Sequence, residues 1–126
     1  MMIIGIGVDI IEINRIKKLF SYKNDKFANK ILNKYEFLKY KFCKNKINFL
    51  AKHFSVKEAT VKAFGIGMRN GLTFNKIEIY KNNLGKPMLK FYKEAKIFSK
   101  KIGVNKIHIS ISHERYYIYS LVILES

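Results

Sequence analysis

Phe49-Leu50-Ala51-Lys52-His53-Phe54-Ser55-Val56-Lys57-Glu58-Ala59-Thr60-Val61-Lys62-Ala63-Phe64 has the spacing of a long helix with one buried face. Leu50, Phe54 and Val61 recur at offsets of four and seven, the period that stacks side chains along one side of a helix. Glu58 stands four residues beyond Phe54 and continues that stripe with a carboxylate. A charge taken out of water needs a partner, because leaving it uncompensated costs several kcal/mol. Asp9 poses the same question. It closes the apolar run Met2-Ile3-Ile4-Gly5-Ile6-Gly7-Val8, where a strand at Met2–Val8 is expected to give way to a loop. Two carboxylates at the edge of a core suggest a hard divalent cation.

Working outward, a helix is expected at Glu12–Phe20, with Ile13, Ile16 and Phe20 on its apolar side and Arg15, Lys17 and Lys18 crowding the other. Shorter helices are expected near Phe27–Leu32 and Tyr35–Phe42. The long helix covers Ile47–Phe64 and stops at Gly65. Phe74–Tyr80 alternates as a strand, Asn82-Asn83-Leu84-Gly85 is turn chemistry, and Pro87–Phe91 is the returning strand. A helix over Tyr92–Lys101 precedes a closing hairpin, Lys106–Ser112 and Tyr117–Leu124. The pattern predicts one α+β domain, residues 1–126, of antiparallel strands with a long central helix and shorter helices.

The bulk properties narrow the function. A 48% hydrophobic and 14% aromatic share belongs to a folded chain. One cysteine, Cys43, excludes an intramolecular disulfide and a multi-cysteine metal site. No apolar run is long enough to span a bilayer, and the N-terminus lacks the pattern of a secretory signal, so a cytoplasmic protein is expected. The formal charge of +16 points to a polyanionic partner. The chain is also rich in Lys, Asn, Ile, Phe and Tyr, a bias that an AT-rich coding sequence gives to any protein. Arg15, Arg69 and Arg115 are its three arginines.

Each candidate residue has a plain reading beside a chemical one. Asp9 alone is a turn or cap residue, and Glu58 alone can pair with Lys62 one turn on. Together they fit magnesium, which takes one or two carboxylates plus waters and substrate phosphates. Gly65-x-Gly67 and Gly71 let backbone amides approach a phosphate beside Arg69, or simply cap the helix and turn. His53, His108 and His113 form no metal-ligand spacing. Ser110, Ser112 and Cys43 lack the surroundings of a nucleophile. The residues themselves point to a basic, magnesium-dependent enzyme acting on a phosphate group.

Those residues also resemble a family, the holo-acyl-carrier-protein synthases, which are small bacterial phosphopantetheinyl transferases. Gly5 through Ile16 is similar to the family's opening motif, and Phe54-Ser55-Val56-Lys57-Glu58-Ala59 through Lys62-Ala63-Phe64-Gly65 to its most specific one. Arg69-Asn70-Gly71-Leu72-Thr73-Phe74, Leu84-Gly85-Lys86-Pro87 and Ser110-Ile111-Ser112-His113-Glu114 follow in the expected order. The resemblance implies transfer of the 4′-phosphopantetheine arm of coenzyme A to a serine of apo-acyl-carrier protein, in fatty acid biosynthesis. It implies Asp9 and Glu58 as magnesium ligands, and Glu58 and Lys62 as catalytic residues. It implies His53, Lys62, Gly65 and His113 around coenzyme A. Arg15, Lys17 and Lys18 would meet the acidic carrier protein, and a homotrimer would place each site between subunits. His53 stands where the family commonly carries arginine, so either coenzyme A affinity drops or Lys52 or Lys57 compensates for the weaker grip on phosphate. A nucleic-acid-binding domain is the rival reading of the charge, but it leaves Asp9 and Glu58 unexplained. A homologue without catalysis is the third, and the presence of Asp9, Glu58 and Lys62 together speaks against it.

Overall fold

The computed structural model describes residues 1–22 and 25–126. Strand β1 (Ile3–Glu12) leads into helix α1 (Ile13–Tyr22), short helices α2 (Lys26–Ile31) and α3 (Lys34–Phe42), and the 19-residue helix α4 (Lys46–Phe64). Strands β2 (Ile77–Lys81) and β3 (Pro87–Phe91), helix α5 (Lys93–Lys101) and the hairpin β4 (Lys106–His113)–β5 (Tyr117–Glu125) follow. β1, β5 and β4 form one antiparallel sheet in that order; β2 and β3 form a second. The α+β expectation holds.

Local chemistry sets the boundaries. Asn45 accepts the Asn48 amide to start α4, and Gly65, in the left-handed region at φ 81°, ends it. Asn33 and Glu36 make a reciprocal capping box on α3. Two expected boundaries are corrected. β1 does not end at Val8: its pairing with β5 runs on through Asp9 opposite Ser120 to Glu12 opposite Tyr117. Asp9 therefore sits within a ladder rather than in a loop. Phe74–Lys76 is a 3₁₀ turn, closed by Lys76 N–H donating to Thr73 O and by the Thr73 hydroxyl bonding Asn75, so the strand begins at Ile77.

The strand's pleat decides how closely α4 can approach. Gly5, Gly7, Asp9 and Ile11 share the inner face of β1, and α4 lies over the first three. A Cβ on Gly7 would stand 1.7 Å from Ala59 O, and one on Gly5 1.9 Å from Ala63 O. Backbone lies on backbone, a contact that admits hydrogen alone at those positions. Gly7→Ala is therefore expected to lower the unfolding free energy by about 3 kcal/mol or more, read by urea denaturation; an unchanged midpoint would refute this packing. Along the same face of α4, one turn before Ala59, Ser55 meets the neighbouring strand β5, where it shares a buried hydrogen bond of 2.8 Å with Ser120.

Candidate active site

Glycine packing brings the carboxylate of β1 beside the carboxylate of α4. Asp9 points from the inner face of the strand, and Glu58 lies on the flank of the helix next to Ala59. Burial chiefly, with the Asp9 charge adding to it, pushes the Glu58 carboxyl above its usual range; Lys62 and Arg15 oppose the shift. Asp9 Oδ2 is buried and has no hydrogen-bond partner among the described residues. Its Oδ1 accepts from Lys62 Nζ at 3.3 Å, and the same ammonium donates to Val8 O at 3.0 Å. Lys62 thus reaches across to the strand, whereas the sequence suggested a pair with Glu58 along its own helix.

The structure unites Asp9, Glu58 and Lys62, with Arg15 close enough for its charge to act on Glu58. Gly65 caps the same helix three residues past Lys62. His113, at the exposed end of β4, stands opposite Ile118, which in turn stands opposite Ile11, so it lies two strands from β1. Lys17 and Lys18 are exposed on α1, whose inner side carries Ile16. A surface cavity of about 530 Å³ between α2 and α3 includes none of these residues. It bears no relation to the carboxylates.

His53 does not take the place expected of it. The ring is buried, stacked on Phe49 at 4.0 Å, with Nδ1 2.8 Å from Phe49 O and Nε2 3.8 Å from Glu36. Burial chiefly, with nearby lysines adding to it, pushes its pKa down to about 3, so the ring is neutral and faces the core rather than a phosphate. Below the unfolded value of about 6.5 the unfolded chain binds a proton that the folded chain refuses. Stability is then lost as pH falls, by up to about 1.4 kcal/mol per pH unit until the folded value is reached. The wild type is expected to lose stability relative to His53→Phe between pH 6 and 4; parallel pH profiles would contradict the buried neutral ring.

Sequence reasoning also missed the residue that is fully buried. Glu58 is half-buried, at the edge of the stripe, while its neighbour Lys57 is 0% exposed. The Lys57 ammonium donates to Glu36 Oε1 at 2.6 Å, Ile31 O at 2.7 Å and Phe74 O at 3.1 Å. Glu36 also accepts the amides of Asn33 and Ile79. Burial raises the Glu36 pKa and lowers that of Lys57, and the attraction between the two opposes both shifts. Lys57 is thus committed to the interior and cannot replace an arginine at position 53. The spacing Asn33-x-x-Glu36 is a capping-box signal that the sequence offered and that went unread; no local signal marks Lys57.

Two carboxylates with an unbonded buried oxygen, offering oxygen donors alone, fit a hard divalent cation completed by waters or phosphate oxygens. No group of three or more His, Cys, Asp or Glu side chains suited to a metal exists among the described residues, so such an ion would need ligands from outside the chain. The sequence profile of the 4′-phosphopantetheinyl transferase superfamily matches residues 5–120. The chain belongs to that superfamily. It is 52% identical to holo-[acyl-carrier-protein] synthase of Buchnera aphidicola subsp. Acyrthosiphon pisum over the full length of both. The holo-[acyl-carrier-protein] synthase structure from Neisseria meningitidis superposes with a TM-score of 0.94 at 34% identity, covering 99% of this chain and 100% of that one. A Bacillus anthracis holo-(acyl-carrier-protein) synthase in complex with CoA (3′,5′-ADP) gives 0.82 at 38% identity, over 100% and 99%. In this phosphopantetheinyl transferase Asp9, Glu58 and Lys62 are the charged side chains gathered between β1 and α4.

Proposed function

We propose that the chain is a holo-acyl-carrier-protein synthase, moving the 4′-phosphopantetheine arm of coenzyme A onto a serine of apo-acyl-carrier protein for fatty acid synthesis. The meeting of Asp9, Glu58 and Lys62 across β1 and α4 carries this reading within the superfamily. The serine oxygen bonds to the β-phosphorus, the bond to the bridging oxygen of the pyrophosphate breaks, and adenosine 3′,5′-bisphosphate leaves. Asp9 and Glu58 would hold Mg²⁺, which when bound neutralises charge on the pyrophosphate. Lys62 offsets the negative charge on the same group, and Glu58 accepts the serine proton. Gly65 and His113 line the approach of coenzyme A. The nucleophile belongs to the partner, which accounts for a site without an activated serine or cysteine.

The charge of +16 fits an acidic carrier protein. Arg15, Lys17 and Lys18 present it on α1, and Arg15 adjoins the carboxylates. Arg15→Glu is expected to raise the KM for carrier protein about tenfold or more, while the KM for coenzyme A moves far less. Equal rises in steady-state assays would remove α1 from the docking surface. The outer face of the first sheet carries Ile6, Val8 and Ile10, at 55%, 56% and 52% exposure, beside Tyr117 and Tyr119. An apolar face of this kind supports a homotrimer built on the sheets, with each site between neighbours. No helix is long and apolar enough to cross a membrane among the described residues, and we assign the enzyme to the cytoplasm. Incubation with apo-carrier protein, coenzyme A and Mg²⁺, followed by mass spectrometry, tests the reading. Carrier protein heavier by one phosphopantetheine arm is expected; unchanged mass would defeat it.

A further inference from the structure

Helix α4 is gripped from two opposite sides. Ala59 and Ala63 lie against the backbone of β1, where non-directional packing sets only the distance of approach. About half a turn round the helix, Lys57 enters the interior and bonds three acceptors on three other segments: Ile31 O at the end of α2, Glu36 on α3 and Phe74 O in the 3₁₀ turn. An ammonium has three protons, and all three are used. Glu36 extends the grip to the second sheet through the Ile79 amide at 2.8 Å. Hydrogen bonds weaken steeply with distance and angle, so this arrangement fixes the rotation and axial height of α4 in a way that apolar side chains cannot. The residue held next in the chain is Glu58.

We propose that Lys57 is a positioning residue for phosphopantetheine transfer, its three-way anchor setting the orientation of α4 at which Glu58 faces Asp9. The inference rests on the assignment of Asp9 and Glu58 as a shared cation site. Lys57 touches neither substrate nor cation; it acts through the helix. Misplacing a ligand by a fraction of an ångström weakens the ion and the reaction together, and groups that orient metal ligands from behind commonly alter affinity or rate 10–100-fold.

The test separates orientation from stability. In Glu36→Leu/Lys57→Met no charge is left stranded, but Ile31 O, Phe74 O and the Asn33 and Ile79 amides lose their partners, so the variant is expected to melt lower than the wild type, which is why it is judged against a control of matched stability. Mn²⁺ affinity in the presence of coenzyme A, and kcat, are each expected to fall about 10-fold or more, with the KM for carrier protein little changed. Leu89→Ala, a core truncation on the second sheet, is the control: it melts lower but keeps wild-type Mn²⁺ affinity. Wild-type affinity and kcat in the double variant would overturn the proposal, and so would an equal loss in Leu89→Ala. If the double variant does not fold, the same readouts on Glu36→Gln decide in the same way. Absence of Mn²⁺ binding in the wild type itself would instead defeat the underlying cation site.

Discussion

Glu58→Gln is expected to abolish transfer and leave the fold in place. Turnover should fall by roughly a thousandfold or more, equivalent to about 4 kcal/mol of lost transition-state stabilisation. The amide keeps the shape of the side chain but offers a weaker ligand and no proton acceptor. Stability should hold or rise slightly, because Glu58 is half-buried and burial and the Asp9 charge already disfavour its ionised form. Asp9→Asn should cost a similar amount, and the double variant little more than either, since the two carboxylates act as a unit. Turnover within tenfold of the wild type, measured by carrier-protein mass at saturating Mg²⁺, would remove Glu58 from the chemistry.

Breaking the buried ion pair should have the largest effect on folding. Lys57→Met alone strands Glu36, and Glu36→Leu alone strands Lys57, with side chains that are 0% and 1% exposed. Either is expected to cost about 3–5 kcal/mol, and the combined replacement clearly less than the sum of the two, because neither charge is then left buried without the other. Urea denaturation of the four proteins forms a double-mutant cycle. Additive losses would mean that the pair is not a unit. The contrast with Glu58→Gln is instructive: adjacent residues on one helix divide stability and chemistry between them.

How much of this was legible in the sequence follows from the range of the interactions. Caps, periodicity and turns are local, so the long helix up to Gly65, the turn at Asn82–Gly85 and the closing hairpin were legible, whereas the Asn45 cap and the 3₁₀ turn at Phe74–Lys76 were not read. Asp9 was misread as a strand end because the ladder that carries β1 on to Glu12 is made with residues over a hundred positions away on β5. The stripe Leu50–Phe54–Glu58 suggested the wrong buried charge for a related reason. The helix is covered on several sides, so periodicity alone could not say that Lys57 faces α2 and α3. His53 followed from analogy rather than from its neighbours, and Phe49 and Glu36 place it in the core. Gly5 and Gly7 were visible as glycines, yet the reason for them lies in the backbone of Ala59 and Ala63. The pairing of Asp9 with Glu58 was anticipated from the cost of uncompensated charge, an argument that does not depend on sequence distance.

The central claim is that these two acids serve one divalent ion. Titration of Mn²⁺ in the presence of coenzyme A, followed by electron paramagnetic resonance, tests it most directly. A single class of tight site in the wild type, weakened at least about a hundredfold in both Asp9→Asn and Glu58→Gln, is the result expected. Undiminished binding in either variant would contradict it.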